Sequence, residues 1–126
     1  MVDNIDHIVL QTSSLKKAIN FYRDILGLEI VESSKNRYYV KIGTKIINLH
    51  EENTIAVPKA KNFKIGAMDI CFISKIPLSE IREKLEKYEI EIIKYDVART
   101  GSKFPLKSLY FYDFDGNLIE ISNEVR

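Results

Sequence analysis

Hydrophobic and polar positions along the chain follow two periods, and the order of these periods occurs twice. Alternation with a period of two predicts strands, and apolar residues repeating every three or four positions predict helices. In the first half the predicted strands are 5–11, 28–33, 37–42 and 45–51, with a helix at 14–26. In the second half they are 67–73, 90–95, 108–113 and 117–122, with a helix at 77–88. Both halves have the order βαβββ, which predicts an internal repeat.

The repeat defines two predicted modules within a single domain of 126 residues. Module one covers about 1–51, residues 52–66 form a linker, and module two covers about 67–126. Aligning the halves places His7 opposite Asp69, 62 positions later, but Asn48 opposite Glu120, 72 positions later. The second module therefore has about ten additional residues, which we expect in a loop at 97–107.

Strand parity separates an apolar face from a polar face in each module. Successive side chains of a strand point to opposite sides, so Ile119 and Ile121 lie opposite Glu120. The same rule places Asn48 and His50 together, away from the neighbouring aliphatic residues. The apolar faces are expected to pack on the helices. The polar faces collect His7, Asn48, His50, Asp69, Glu120 and Ser122, and these predict the lining of a site.

Composition narrows the class of partner. The net charge is +1, with acidic and basic residues intermixed, which gives no electrostatic argument for nucleic acid or an anionic membrane. No apolar run reaches membrane-spanning length, and the N-terminus lacks the apolar segment of a signal peptide. Cys71 is the only cysteine, so no intrachain disulfide can form. We expect a cytoplasmic protein that binds a small molecule.

Several segments resemble the vicinal oxygen chelate superfamily: "DHIVLQT", "AINFYRDILGLEI" and "SLYFYDFDGNLIEISN". That group includes glyoxalase I, fosfomycin- and bleomycin-resistance proteins and extradiol dioxygenases. Four further segments are similar to the subgroup of glyoxalase-domain-containing protein 5 and bacterial virulence-associated relatives: "INLHE", "MDICFI", "RTG" and "DGNLIEISN". The resemblance implies an α+β fold, with two tandem βαβββ modules forming a curled mixed sheet cup. It also implies one divalent metal (Fe, Mn, Ni, Co or Zn) and a homodimer, in which His7 and Glu120 come from one chain or from two.

The resemblance implies a metal site that this sequence matches in part. His7 and Glu120 match the family's ligand positions, whereas Asp69 stands where histidine is usual and Asn48 where glutamate is common. His50 lies on the same strand face as Asn48 and is a candidate ligand or general base. We expect metal ligation by His7, His50, Asp69 and Glu120, with His50 and Glu120 also catalytic and Asn48 contacting substrate. The alternatives are an ordinary strand histidine at position 7 and a solvated carboxylate at position 120. His50 can instead face solvent, and Asp69 can instead accept backbone hydrogen bonds or position His7.

Two cations and two tyrosines are the candidate substrate contacts of the second module. Arg99 and Lys103 lie in the expected loop and would select an anionic substrate. Tyr110 and Tyr112 share parity with the polar face. The alternative is a solvated loop without a ligand. Cys71 is expected to be a small core residue.

Three functions remain open from the sequence. The first is a metalloenzyme with lyase, isomerase or ring-cleaving dioxygenase chemistry on a small oxygenated molecule. The second is a metal-dependent antibiotic-resistance transferase. The third is a metal-free protein that binds and sequesters an antibiotic. A fold alone does not distinguish among them.

Overall fold

The computed structural model describes residues 1–54 and 56–126 and divides the chain into two compact units, Met1–Gly66 (unit 1) and Ala67–Arg126 (unit 2). Unit 1 contains β1 (His7–Thr12), α1 (Leu15–Asn20), β2 (Glu29–Ser34), β3 (Arg37–Ile42) and β4 (Lys45–Glu51). Unit 2 contains β5 (Asp69–Ile73), α2 (Leu78–Lys87), β6 (Lys94–Thr100), β7 (Pro105–Tyr112) and β8 (Leu118–Glu124). The expected repeat of βαβββ and the α+β class are confirmed.

Each unit has one four-stranded mixed sheet, with the same pairing. The order is β1-β4-β3-β2 in unit 1 and β5-β8-β7-β6 in unit 2. In both sheets the first strand pairs in parallel with the last, and the other pairs are antiparallel. A parallel pair requires a crossover, and each helix supplies part of it. The first and last strands of each unit are therefore neighbours, which brings the residues of the predicted site side by side within each sheet.

The apolar face of each sheet is where sequence parity predicted it. In unit 1 the aligned residues Leu10 and Leu49 are buried, and α1 packs against β4. In unit 2 the aligned residues Phe111 and Ile119 are fully buried, and α2 packs against β8. Burial of such side chains stabilises each by roughly 1.5–3 kcal/mol. The opposite face of each sheet carries the polar positions.

The first helix is not uniform along its length. Ser14 begins α1 as its N-cap, where its hydroxyl accepts a hydrogen bond from the Lys17 amide at 3.2 Å. After Asn20 the chain continues as a π-helical turn, Phe21–Ile25, in which the Leu26 amide donates to the Phe21 carbonyl. The widened turn accompanies the burial of two consecutive aromatic residues, Phe21 and Tyr22. Helical periodicity predicted the extent of this helix but not its change of type.

The N-terminus of the second helix is capped by a residue that is distant in sequence. Pro77 precedes α2 and provides no side-chain cap. Asn123 of β8 accepts a hydrogen bond from the Leu78 amide at 3.1 Å, and its amide group donates to the carbonyls of Ser74 and Ile76. The end of β8 therefore satisfies backbone groups at the start of the helix.

Two sequence expectations for unit 2 are wrong. The predicted strand at 90–95 begins only at Lys94, because the chain leaves α2 through Glu89 with a positive φ of 58°. The predicted loop at 97–107 is mostly strand, and only residues 101–104 form the turn between β6 and β7. The extra residues of the second module lengthen this hairpin instead of forming a long loop. A register shift between Lys94 and Val97, with Asp96 at φ 56°, marks a bulge in β6.

The turn from β7 to β8 is held by two buried polar side chains. The carboxylate of Asp113 accepts hydrogen bonds from the amides of Asp115 and Asn117 and from the Asn117 side chain. The Asn117 side-chain oxygen also accepts a bond from the Met68 amide, which precedes β5. The segment "DFDGN" thus fixes the turn and ties the start of β5 to it. Across the described residues, no helix is both long and apolar enough to cross a membrane.

Candidate functional site

The polar face of unit 1 is built on β1, β4 and β3. Asn48 is aligned with Val9 on one side and with Tyr39 on the other, and His50 is aligned with Gln11. Asn48 and His50 are half-buried and lie on the same face, as parity predicted. His7 lies on this face at the start of β1, where it is aligned with Ile46.

The imidazole of His7 is paired with the carboxylate of the residue before it. His7 Nδ1 lies 2.8 Å from Asp6 Oδ2, and 46% of the His7 side chain is exposed. When the carboxylate accepts a hydrogen bond from the N–H at Nδ1, the lone pair of the neutral ring is on the other nitrogen, Nε2. Within unit 1, the carboxylate bonded to His7 is that of Asp6. The dipeptide Asp6–His7 in the first strand was the signal for it.

His50 lies in an environment that disfavours its charged form. Burial is the largest cause that lowers the pKa of its imidazole below 6.5, and the positive charges of Arg37 and Lys59 lower it further. The ring is therefore neutral at neutral pH, the form that binds a metal or accepts a proton. The two roles suggested for His50 by the sequence, metal ligand and general base, stay predictions.

The polar face of unit 2 is centred on the half-buried Glu120. Its Oε2 atom lies 2.7 Å from the hydroxyl of Ser108 and 3.2 Å from that of Ser122. The two hydroxyl oxygens are 2.6 Å apart, and the thiol of Cys71 lies 3.2 Å from Ser122 Oγ. Glu120 is thus part of a hydrogen-bonded cluster and is not a solvated edge residue.

Tyr110 and Arg99 extend this cluster toward β6. Arg99 Nε donates to the Tyr110 hydroxyl at 2.8 Å, and the guanidinium carbon lies 5.4 Å from the centre of the ring. Burial is the largest cause that raises the pKa of Tyr110; the bond from Arg99 opposes the increase, and the charge and hydrogen bond of Glu120 add to it. Tyr110 therefore links the guanidinium of Arg99 to the carboxylate of Glu120.

The remaining predicted residues of unit 2 lie outside that cluster. Asp69 and Tyr112 are both exposed and align with Leu118 from opposite sides, at the other end of the face. Lys103 is in the turn between β6 and β7, where its ammonium group lies 5.5 Å from the ring of Phe104. The expectation that Arg99 and Lys103 lie in one loop is therefore wrong, because Arg99 is in β6 and only Lys103 is in the turn. Their role in selecting an anionic substrate stays a prediction.

The predicted metal ligands are distributed over both units. Unit 1 contains His7 and His50, and unit 2 contains Asp69 and Glu120. Within residues 1–54 and 56–126, no three histidine, cysteine or acidic side chains lie close enough together to hold a metal ion. Imidazole and carboxylate groups are nevertheless the ligands that Mn(II), Fe(II) and Zn(II) prefer, and the carboxylate–histidine pair of Asp6 and His7 is typical of metal sites. The four-residue ligand set stays a prediction.

Cys71 is not the core residue that the sequence suggested. It is exposed on the polar face, because β5 is an edge strand and its odd-numbered residues point away from α2. Burial of the thiol group nevertheless raises its pKa, while the bond to Ser122 opposes the increase. Strand parity assigned Ser122 to the polar face, but the contacts of Ser108 and Ser122 with Glu120 were not predicted. Their alignment in β7 and β8 was the available signal.

A depression of about 400 Å³ lies on the helix side of unit 1. It is lined by the start of α1 together with Asn36, Tyr38 and Glu51. Tyr38 has its pKa raised first by a hydrogen bond to Glu32. None of the predicted site residues lines this depression, so it is separate from the polar face.

Comparison with known proteins identifies related chains over almost the full length. The family model for a glyoxalase-like domain matches residues 5–126. The virulence protein STM3117 of Salmonella typhimurium is 38% identical over 125 residues, which span 99% of this chain and 87% of that protein. Its crystal structure has a TM-score of 0.93 and covers 99% of each chain.

Two further relatives have names that describe a chemistry. The metallothiol transferase FosB of Staphylococcus haemolyticus is 33% identical over 122 residues, covering 96% of this chain and 84% of that protein. The fosfomycin resistance protein FosX of Listeria monocytogenes, solved with Mn(II) and sulfate, is 25% identical with a TM-score of 0.69. That alignment covers 99% of this chain and 93% of FosX. Both likenesses extend over the two units described above.

Proposed function

The chain belongs to the glyoxalase-like family, within the vicinal oxygen chelate superfamily, and on that premise we propose that it is a metal-dependent enzyme acting on a small oxygenated molecule. The observation that carries the proposal is the pairing of His7 Nδ1 with Asp6 at 2.8 Å, which leaves Nε2 as the metal-binding nitrogen. Mn(II) in the related FosX structure supports a divalent ion as the cofactor.

We assign the ligands as the sequence resemblance implied them. His7 and Glu120 are the essential ligands, and His50 or Asp69 completes the set. A bound divalent ion supplies Lewis-acid polarisation of the vicinal oxygens of a substrate. His50 is neutral at neutral pH because burial lowers its pKa, so its free nitrogen can accept a proton from the substrate. Asn48, on the same face, can donate a hydrogen bond to a substrate oxygen.

Metal binding is tested first, without a substrate. Protein purified in the absence of chelators is examined by elemental analysis and then titrated calorimetrically with Mn(II). We expect micromolar or tighter binding, a loss of roughly 100-fold or more in His7→Ala, and roughly tenfold in Asp6→Asn. The control is Asp3→Asn, which removes an exposed carboxylate from the same N-terminal segment. Wild-type protein that binds none of Mn, Fe, Ni, Co and Zn would refute the proposal in favour of a metal-free binding protein.

A transferase is the second candidate, because FosB is a metallothiol transferase at 33% identity. The test incubates Mn(II)-loaded protein with fosfomycin, with and without a small thiol, and follows the phosphonate by ³¹P NMR. Conversion that requires the thiol identifies a transferase, and conversion with water alone identifies a hydrolase. No conversion leaves the broader proposal to be tested on other oxygenated molecules, starting with hemithioacetals and catechols.

We also propose that two copies of the chain form a homodimer. β1 and β5 are edge strands, and apolar side chains on them are exposed: Ile8, Val9 and Ile73. An exposed apolar edge is an unfavourable surface for a monomer, and a second copy can cover it. Sedimentation velocity at micromolar concentration should give the mass of a dimer, and a monomer over the whole concentration range would contradict this.

A further inference from the structure

We propose that Ser108 and Ser122 are positioning residues that hold the carboxylate of Glu120, and that the thiol of Cys71 is the outer end of the same hydrogen-bond chain. The inference rests on the proposed function, since it assigns Glu120 as a metal ligand. It concerns only side chains of unit 2 and the contacts among them. None of these three residues belongs to the ligand set described above.

The sheet register places the four side chains in one block. Ser108 is aligned with Ser122 across β7 and β8, and Cys71 is aligned with Glu120 across β5 and β8. Aligned residues of neighbouring strands are close enough for their side chains to touch. Both serines are fully buried, so their hydroxyl groups cannot turn to bulk water. They must find partners inside the cluster.

The number of available protons determines which group donates in each bond of the hydrogen-bond chain. The two hydroxyl oxygens and Glu120 Oε2 make three short contacts of 2.6, 2.7 and 3.2 Å, but two hydroxyl groups carry only two protons. An ionised carboxylate only accepts, so Ser108 donates to Glu120 across 2.7 Å. Ser122 then uses its proton on Ser108, because that contact, at 2.6 Å, is shorter than the one to Glu120. The oxygen of Ser122 is left to accept from the thiol of Cys71 at 3.2 Å.

This direction explains why the carboxylate is held in one orientation. Both serine contacts are made to the same oxygen, Oε2, so rotation of the carboxylate would break the short bond from Ser108. The second bond, from Ser122, fixes the Ser108 hydroxyl and polarises it. Side chains that bond to a ligating carboxylate orient it before the metal arrives, and their loss typically weakens metal binding by roughly 10- to 100-fold.

The direction of the hydrogen-bond chain predicts how the loss of Mn(II) affinity ranks among three variants. Ser108→Ala removes the bond that ends on Glu120, and Mn(II) affinity should fall by roughly 10- to 100-fold. Ser122→Ala leaves Ser108 with its proton and its bond to Glu120 but removes the 3.2 Å contact to Glu120 and the bond that fixes the Ser108 hydroxyl, so the loss should be intermediate, roughly three- to tenfold. Cys71→Ala removes only the outermost donor and should leave Mn(II) affinity within about twofold of wild type, since a thiol is a weak hydrogen-bond donor and the short bond from Ser108 to Glu120 remains.

The experiment measures Mn(II) affinity by calorimetry, unfolding by urea, and the Glu120 side-chain conformation by crystallography for each variant. The control is Thr12→Val, which removes a fully buried hydroxyl bonded to the Ser14 carbonyl. It should cost stability without changing Mn(II) affinity. In Ser108→Ala we expect Glu120 to adopt a different conformation even without metal.

Each outcome decides a separate point. Wild-type protein that binds none of Mn, Fe, Ni, Co and Zn would refute the proposed function, and the Glu120 conformation in metal-free Ser108→Ala would still decide this inference. Wild-type affinity and an unchanged Glu120 in Ser108→Ala would overturn the positioning role. If Ser108→Ala does not fold, the comparison of Ser122→Ala with Cys71→Ala decides, and equal Mn(II) affinities in these two would overturn the directed chain.

Discussion

Unit 1 and unit 2 share a strand order but hold their polar side chains differently. In unit 1 the bonds that fix polar groups are short in sequence, as between Asp6 and His7 or between Ser14 and Lys17. In unit 2 several of them also join distant segments, and the bonds of Asn117 to Met68 and of Asn123 to Leu78 span 49 and 45 positions.

The difference shows how one repeated architecture can position the polar side chains of two sheets in two ways. Short-range bonds fix a side chain within its own strand and form as soon as that strand does. Long-range bonds form only when the whole sheet has assembled, so they couple the geometry of Glu120 to the folding of unit 2. On the polar face of unit 1, burial and nearby charges determine the protonation of a side chain, as at His50. We therefore expect substitutions of polar residues to destabilise unit 2 more than unit 1.

The largest expected effect is at the turn between β7 and β8. Asn117→Ala removes the bonds to Asp113 and to the Met68 amide, and leaves buried groups without partners. The free energy of unfolding should fall by about 3 kcal/mol. Thr44→Ala, in the corresponding turn of unit 1, is the matched control and should cost less than about 0.5 kcal/mol. Equal losses in urea denaturation would remove the contrast between the units.

The two helix starts give the next largest effect. Asn123→Ala removes one acceptor and two donor contacts at the start of α2 and should lower the free energy of unfolding by about 2 kcal/mol. Ser14→Ala removes a single N-cap bond from α1 and should cost about 1 kcal/mol. Thermal and urea unfolding of both variants measure the difference. A larger loss in Ser14→Ala would reverse the contrast.

These contrasts mark the limit of what the sequence could predict. Strand periods gave β3 and β4 their observed bounds, and parity assigned Asn48, His50, Glu120 and Ser122 to the polar faces. Local patterns determine such features, since each depends on a few neighbouring residues.

The sequence could not predict features that depend on pairing between strands. The bond from Ser108 to Glu120 requires the β7–β8 register, and the exposure of Cys71 requires that β5 be an edge strand. The about ten additional residues of module two predict a loop at 97–107, but they lengthen the β6–β7 hairpin, in which Gly101 lies in the turn and Pro105 is the first residue of β7. Register and edge position are properties of the sheet, and no single segment encodes them.

The charge environment of His50 gives a prediction that depends on pH. Its folded-state pKa is below 6.5, so the unfolded chain binds the proton more readily. Its contribution to stability is complete above pH 6.5 and is lost as the pH falls from 6.5 through the folded-state pKa. The difference in unfolding free energy between wild type and His50→Gln should therefore shift against the wild type over that interval. Urea denaturation from pH 8 to pH 5 measures this, and a constant difference would contradict it.

The same imidazole can be titrated directly. NMR of the His50 ring protons should give a midpoint below 6.5, and Arg37→Ala should raise that midpoint only in part, since burial is the larger cause. Lys16→Ala, which removes a cation that is not among the causes of the shift, is the control. If the His50 midpoint returned fully to 6.5 in Arg37→Ala, charge and not burial would be the main cause of the lowered pKa.

The smallest expected effect separates the two cations that the sequence treated as a pair. Arg99 donates to Tyr110, which in turn interacts with Glu120, whereas Lys103 lies against Phe104 in the turn. An anion that binds beside Tyr110 would therefore lose an attractive charge in Arg99→Ala and not in Lys103→Ala.

Because Arg99 is exposed, solvent screens its charge, and we expect its loss to weaken the binding of sulfate or phosphate by only about 0.5–1 kcal/mol, a factor of roughly two to five. Both variants should unfold within about 0.5 kcal/mol of the wild type, since neither side chain is buried. Calorimetric titration with each anion at low and at high salt makes the measurement, and the Arg99 effect should shrink as salt screens the charge. Equal losses in the two variants would show that the cations act through the overall field of the hairpin. In that case the bond to Tyr110 does not position Arg99 for the anion. Hydrogen bonds in unit 2 would then fix the carboxylate of Glu120 but not the guanidinium of Arg99.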